Sequence, residues 1–399
     1  MHTPRAPGDY VDLFIELARY LHEAGAPAHR IEETVGAVAR LTGSRAQLFS
    51  TPTFLLCSVG EGENAQTRAE RMQPSEYDIR RLMAVDALID EAIRGETPLE
   101  SVIERLRALK VSHYTKALRP PAFMILSASM AVVFGGGLYD AIASAAVGLA
   151  IGAVTLGRWR SAHLLNITAA FVASLAGAIA NRTLGGSAAT IALASLIALI
   201  PGLTLTLGLT ELATRHLTSG TSRLMAALIA FLELGFGAAV GQRTIAQFAG
   251  PAHPSLDIVM PEWIAQAMVV PASLGLLVLF NVPLRRYLVI LISSVIAFLG
   301  ARFGALALGP LLGVSLGAFA VGAASNAYAR IAREPATLPL VPAVLLLVPG
   351  SIGYRGLESY LAAETAQAID AVFATFVIGT SIVTGLLMAN TAVAPRRLL

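Results

Sequence analysis

The residues with the clearest chemical potential are backbone breaks and acids set in apolar surroundings. Leu199-Ile200-Pro201-Gly202 and Leu347-Val348-Pro349-Gly350 each interrupt a long hydrophobic run, and the two copies are 148 positions apart. Gly-Leu follows each break, as Gly208-Leu209 and Gly356-Leu357, and then an acid, Glu211 or Glu358. A Pro-Gly pair at membrane depth frees carbonyls and amides, so it can supply ligands of both polarities without charged side chains. Thr204, Thr206 and Thr210 follow the first break and Ser351 the second. Their hydroxyls could read a substrate hydroxyl or could bond their own helix backbone. Pro201, Gly202, Thr204, Thr206, Glu211, Pro349, Gly350 and Ser351 are therefore the candidate substrate-binding residues.

Glu233 is the candidate for proton coupling. It lies ten residues into an apolar run, between Phe231-Leu232 and Leu234, and an ionisable group at that depth is a functional candidate by default. Glu211 is nearer the end of its run, where a structural salt bridge to Arg215 or Arg223 competes with a substrate role. His163, Asn166, Asn326 and Arg302 are further polar candidates near apolar segments. Nearer the N-terminus the polar candidates are His29, Arg30, Glu32, Glu33, Thr34, Ser50, Thr51 and Ser58. Arg30 with Glu33 or Thr34 has the spacing of a helix-surface pair. No nucleophile with a spaced His and Asp is identifiable. Gly313-Val-Ser315-Leu-Gly317 matches a hydrolase elbow only in letters, because the serine sits in an apolar helical run. The one cysteine, Cys57, excludes an internal disulfide and a cysteine-rich metal site. No metal or cofactor is expected.

The elements that must position these residues follow from hydropathy and charge. Of 399 residues 55% are hydrophobic and 14% charged, which excludes an ordinary soluble enzyme of this length. Residues 1–112 hold 17 of the 26 acids and 13 of the 29 bases, so a boundary falls near 112. The later bases are scattered singly or in pairs, which argues against nucleic-acid binding. Asp9, Asp12 and Glu16 interrupt any signal-peptide core, so the N-terminus is expected to stay in the cytoplasm.

A bilayer core of about 30 Å needs about 20 apolar residues per helix. Ten spans are expected, near 119–136, 138–157, 162–181, 188–209, 223–241, 264–282, 286–303, 305–325, 337–353 and 371–391. With the N-terminus inside, twelve Lys/Arg fall on inner segments and four, Arg182, Arg243, Arg302 and Arg355, on outer ones. That bias supports cytoplasmic N- and C-termini. The 148-residue spacing maps span one onto span six, so each half has five spans and the second enters from the opposite face. Gly237 and Gly385 correspond in the same register. Two inverted repeats around a central site are the architecture of a carrier. In front of them, helical periodicity at 9–24, 28–42, 75–94 and 98–109 and a β-prone stretch at 46–59 predict a small α/β domain.

The run Gly25-Ala-Pro-Ala-His-Arg30-Ile-Glu32-Glu-Thr34, with Gly43 and Thr51-Pro52-Thr53, resembles the cytoplasmic domain of the threonine/serine exporter family. Pro201-Gly202, Leu209-Thr210-Glu211, Gly220 and Arg223 resemble that family's first membrane half, and Pro349-Gly350-Ser351 its second. The resemblance covers essentially the whole chain. It implies export of small hydroxy amino acids driven by the proton motive force, and Arg30, Glu32 and Thr34 as the motif of the N-terminal domain. The expected fold is thus an all-α membrane protein: a cytoplasmic α/β domain at 1–112, then five-helix repeats at 113–260 and 261–399. The expected setting is a bacterial inner membrane. The partners would be substrate, protons and lipid, with a homo-oligomer compatible with all of this. A membrane-anchored hydrolase and a small-molecule sensor acting through the N-terminal domain are the alternatives.

Overall fold

The computed structural model describes residues 7–75, 77–109, 111, 113–157, 162–248, 258, 260–347, 350–361 and 365–395. Its N-terminal part has three strands between two pairs of helices: α1 (Pro7–Glu23), α2 (Ala28–Leu41), β1 (Ala46–Thr51), β2 (Phe54–Val59), β3 (Gln66–Arg71), α3 (Ile79–Ile93) and α4 (Leu99–Arg107). Gly25, at φ 86°, turns the chain between the first two helices, a conformation that favours glycine. The strands form an antiparallel sheet in the order β1-β2-β3, with Cys57 opposite both Leu48 and Arg68. Strand alternation sends Leu55, Cys57 and Val59 inward against Phe14, Leu17, Leu21, Val35 and Val102. Burial pushes the Cys57 thiol up to about 11, so it is an inert core residue. The sequence reading missed β3 because Gln-Thr-Arg-Ala-Glu-Arg has no apolar alternation. It is an edge strand, largely exposed on both faces.

The remainder is helical: α5 (Arg119–Val133), α6 (Leu138–Val154), α7 (Ala162–Leu184), α8 (Ala188–Leu196), α9 (Gly202–Ala213), α10 (Leu217–Phe248), α11 (Glu262–Ala267), α12 (Val269–Leu279), α13 (Tyr287–Leu308), α14 (Val314–Ala332), α15 (Thr337–Leu346), α16 (Gly350–Leu361) and α17 (Thr365–Ala392). Among the described residues six stretches are long and apolar enough to cross a membrane: Leu164–Leu184, Leu217–Ile245, Glu262–Leu279, Leu284–Leu308, Thr337–Gly356 and Thr365–Ala392. The other expected spans coincide with shorter helices or, at α14, with a more polar one. The seventh and eighth spans differ from expectation in their break. Ala305-Leu-Ala-Leu308 continues α13, and the turn comes at Gly309, at φ 81°.

Several packing contacts recur at the 148-residue spacing. A Cβ on Gly237 of α10 would lie 2.2 Å from the Ile167 carbonyl and 3.0 Å from the Ala170 Cβ. A Cβ on Gly385 of α17 would lie 2.3 Å from the Ser315 carbonyl and 2.9 Å from the Ala318 Cβ. Both partners are displaced by the same 148 positions as the glycines. Likewise Gly208 faces the Gly220 carbonyl and the Arg223 Cβ, and Gly356 faces the Ala368 carbonyl and the Ala371 Cβ. At these sites glycine lets one helix touch another's backbone, which no larger residue permits.

Contacts between helix ends fall into two groups. The N-terminal unit touches the ends of α9 and α12 and the start of α10, through Ala28–Glu211, Glu32–His216 and Asp78–Asn281. A separate group joins Leu138 to Ile258, Arg302 to Glu262 and Arg355 to Phe134.

Candidate functional site at the first helix break

α8 and α9 are two pieces of one interrupted path. Ile200 N–H still reaches the Leu196 carbonyl at 3.0 Å, but Pro201 has no N–H, and its ψ of 39° redirects the chain before α9 begins at Gly202. Gly202 N–H bonds the Ile200 carbonyl at 2.8 Å and Leu205 N–H bonds the Pro201 carbonyl at 2.9 Å. Among the described hydrogen bonds none uses the amides of Leu203 and Thr204. They are the unsatisfied donors of a new helix N-terminus, where the helix dipole favours an anion.

A cavity of about 430 Å³ opens at this point, lined by Leu199, Ile200, Pro201, Leu203, Thr204, Asn166 and Arg223, and by Gly25, Ser75 and Tyr77 of the N-terminal unit. Arg223 is fixed from behind. Its Nε lies 3.1 and 3.0 Å from the two oxygens of Glu211. Glu211 is fully buried, and it accepts two more hydrogen bonds, from Ser219 Oγ at 2.7 Å and from the Ala28 amide at 3.0 Å. The last bond crosses from the membrane helices to the N-terminal unit. It caps α2, whose own N-cap, Pro27, offers no side-chain acceptor. Three donors on one carboxylate, Arg223 Nε shared between its two oxygens, are what make a fully buried charge tolerable. Among the described bonds none occupies Arg223 Nη1 or Nη2.

A second cross-link lies beside the first. Glu32 accepts from the Ser50 amide at 2.9 Å and meets His216 Nε2 at 3.2 Å. The His29 ring lies 5.9 Å from that of His216. Burial first, then the charges of Arg30, His216 and Arg223, push His29 down to about 3, so it is neutral. Burial pushes the Tyr77 hydroxyl up to about 12.

The candidate residues separate into groups. Pro201, Gly202 and Thr204 frame the cavity, and Glu211 acts one step behind it through Arg223. Thr206 donates to the Gly202 carbonyl at 3.0 Å and Thr210 to the Thr206 carbonyl at 2.8 Å, the backbone-bonding alternative. Glu233, half-buried, accepts from Asn166 Nδ2 at 2.8 Å, and Asn166 itself lines the cavity. Arg30 pairs with Glu33 at 3.1 Å, and Thr34 is buried. Gly350 opens α16 with Ser351 in its first turn, while Pro349 lies outside the described residues. Reading by sequence missed Ser219, Tyr77, His216 and the Ala28 amide. Only His216 carried a signal, as an ionisable residue between two apolar runs.

The fold and site describe a helical membrane protein with a polar cavity at an interrupted helix. Two family models match: one described as "Putative threonine/serine exporter" over residues 12–244, the other as "Threonine/Serine exporter, ThrE" over residues 266–392. The chain belongs to the threonine/serine exporter family of membrane proteins. It is 24% identical to Pheromone-regulated membrane protein 10 of Debaryomyces hansenii, over 85% of this chain and 35% of the relative. It is 26% identical to the protein of that name in Candida albicans, over 86% and 32%. For Saccharomyces cerevisiae the values are 23%, 85% and 46%. The chain thus spans about a third to a half of the length of these curated relatives. No solved structure matches.

Proposed function

We propose that this protein is a secondary exporter of threonine, serine or similar small amino acids, driven by the proton motive force, with its substrate in the cavity at Pro201. The observation that carries the reading is that Arg223, Leu203 and Thr204 line one cavity, and that no described hydrogen bond uses the amides of the last two. A substrate carboxylate meets the guanidinium and the α9 N-terminus, two features that both favour an anion. Thr204 offers a hydroxyl to the substrate side chain, and the Asn166–Glu233 pair carries the coupling proton. The second break, at Pro349, Gly350 and Ser351, contributes from the other half.

The topology we propose has ten crossings in two inverted five-span repeats, 113–260 and 261–399, behind a cytoplasmic domain at 1–112. The matched contacts at 148-residue spacing support the repeat, and the two groups of helix-end contacts support opposite faces with both termini cytoplasmic. A bacterial inner membrane is the setting that this orientation and the proton coupling suit.

The test is efflux of labelled threonine and serine from proteoliposomes with and without a pH gradient. Gradient-dependent efflux is expected. Glu233→Gln keeps the shape and the bond to Asn166 but removes titration, so it should abolish the gradient dependence while counter-exchange persists. Replacing Pro201-Gly202 by Ala-Ala regains helix propensity of roughly 3 and 1 kcal/mol, closes the break and should abolish efflux while leaving insertion intact. Unchanged pH dependence in the first variant would sink the coupling role, and full activity in the second would remove the substrate site from this cavity.

A further inference from the structure

Two smaller cavities lie in the two halves at matching registers. One, of about 170 Å³, is lined by Ser174 and Ala178 of α7, Ala188 and Ala192 of α8, and Gln242 of α10. The other, of about 190 Å³, is lined by Gly322 and Asn326 of α14, Ala336 and Leu340 at α15, and Asn390 of α17. Five of the seven residues lining the first have their counterparts, 148 positions on, in the lining of the second.

The two copies differ in what closes them. The second is also walled by Pro27, His29, Arg30 and Glu33 of the N-terminal unit, whereas that unit supplies no described wall to the first. Both are lined by residues with polar side chains: Ser174, Arg182 and Gln242 in the first, His29, Asn326, Thr337 and Asn390 in the second. Both chambers therefore suit a small polar occupant, water or a solute in passage.

We infer that the two chambers are the outer and inner access chambers of the transport path, and that residues 27–33 are a plug that seals the inner one. The inference rests on the inverted-repeat exporter reading, which puts equivalent positions of the two halves at opposite faces. The unit carrying the plug is bonded to both halves. It holds the first through Ala28–Glu211 and Glu32–His216. It holds the second through Asp78–Asn281 at 2.9 Å, Ile79 N–H to the Phe280 carbonyl at 3.1 Å and, just beyond it, Tyr114 Oη to the Val282 carbonyl at 2.7 Å. A carrier works by moving one half against the other, and a rigid unit cannot keep both sets of bonds while they move. Release of one set therefore accompanies opening. Glu32–His216 is the latch that yields first, since both side chains are partly solvent-exposed whereas Glu211 is buried.

The test is thiol labelling of the full-length protein in proteoliposomes with a membrane-impermeant methanethiosulfonate, added to either side, in a Cys57→Ser background. Gln242→Cys reports the outer chamber, Asn390→Cys the inner one. Leu340→Cys is a second inner reporter that breaks no hydrogen bond, should Asn390→Cys fold poorly. Gln242→Cys is expected to react only from the face opposite the N-terminus. The inner cysteines should react only from the N-terminal face, and about tenfold faster when Glu32→Gln and His216→Gln together disrupt the Glu32–His216 contact. Inner cysteines that react in the parent background as fast as in the latch variant would overturn the plug. Inner and outer cysteines reacting from the same face would overturn the paired chambers. Serine efflux from the same vesicles separates the premises: efflux without protection sinks the plug alone, and protection without efflux sinks the exporter reading alone.

Discussion

Glycine contacts 148 positions apart match in backbone approach and differ in chemistry. Gly208 lies against the Gly220 carbonyl and Arg223, and its counterpart Gly356 lies against the Ala368 carbonyl and Ala371. The close helix approach is the same, but the first half carries a guanidinium where the second carries a methyl group. Position 211 is Glu and its counterpart 359 is Ser. Among the described residues, the fully buried Glu211 and its pair with Arg223 lie at the helix end that receives α2 of the N-terminal unit. The lesson is that matched glycine contacts keep the close packing in both places, while the buried charge lies where the N-terminal unit docks.

The largest effect should come from breaking that asymmetry at its centre. Arg223→Ala leaves Glu211 fully buried with two donors in place of three, and removing one partner of a buried pair costs about 3–5 kcal/mol. Thermal unfolding in detergent should show the loss, with release of the N-terminal unit to limited proteolysis. Glu211→Gln, which keeps an acceptor for the Ala28 amide, should do less damage than Arg223→Ala. Ala371→Ser, at the equivalent place in the other half, should change little. Equal stability of Arg223→Ala and the parent would remove the pair from the docking account.

The shared packing predicts matched damage. Gly237→Val and Gly385→Val each force a side chain against a carbonyl that a Cβ would already approach at 2.2 or 2.3 Å. Overpacking of this kind costs typically 1–3 kcal/mol, and more where backbone must move. The two variants should lose stability to a similar degree, each by parting one helix pair, α7 from α10 or α14 from α17. A large difference between them would mean that the common spacing does not reflect a common role.

This contrast also explains what was legible in the sequence. The break at Pro201, the glycine contacts at 148-residue spacing and the buried Cys57 were readable because proline, glycine and hydrophobic runs act locally. The ion-pair partner was narrowed to Arg215 or Arg223 by spacing, and geometry selects Arg223. The donor from Ala28 was not readable at all, since a backbone amide 183 positions away from Glu211 leaves no mark in residue type. Strand β3 escaped because an exposed edge strand needs no apolar alternation. The threonines were ambiguous because a hydroxyl on a helix can always turn back on its own turn, and Thr206 and Thr210 do so.

The smallest predicted effect concerns pH and separates the two chambers. His29, walled into the inner chamber, is held neutral at about 3 by burial and by Arg30, His216 and Arg223, against about 6.5 when unfolded. Glu32, Glu33 and Glu211 face the same region but are each committed, to His216, Arg30 and Arg223. Between pH 6.5 and 3 the unfolded chain binds a proton at this histidine that the folded chain refuses. The stabilisation from a neutral His29 is therefore complete above pH 6.5 and is lost progressively as pH falls below it. His22, also pushed down chiefly by burial, adds in the same direction. Lowering the pH from 7 to 5 should loosen the N-terminal unit, read as faster proteolysis within α2, and His29→Gln should reduce that dependence. The outer chamber has no such histidine among its described wall residues, so Gln242→Cys should label at a rate that follows only the reagent's own pH dependence. If His29→Gln leaves the proteolysis profile between pH 7 and 5 unchanged, the docked state does not depend on a neutral imidazole, and the asymmetry between the chambers rests on the Glu211–Arg223 pair and the Glu32 latch alone.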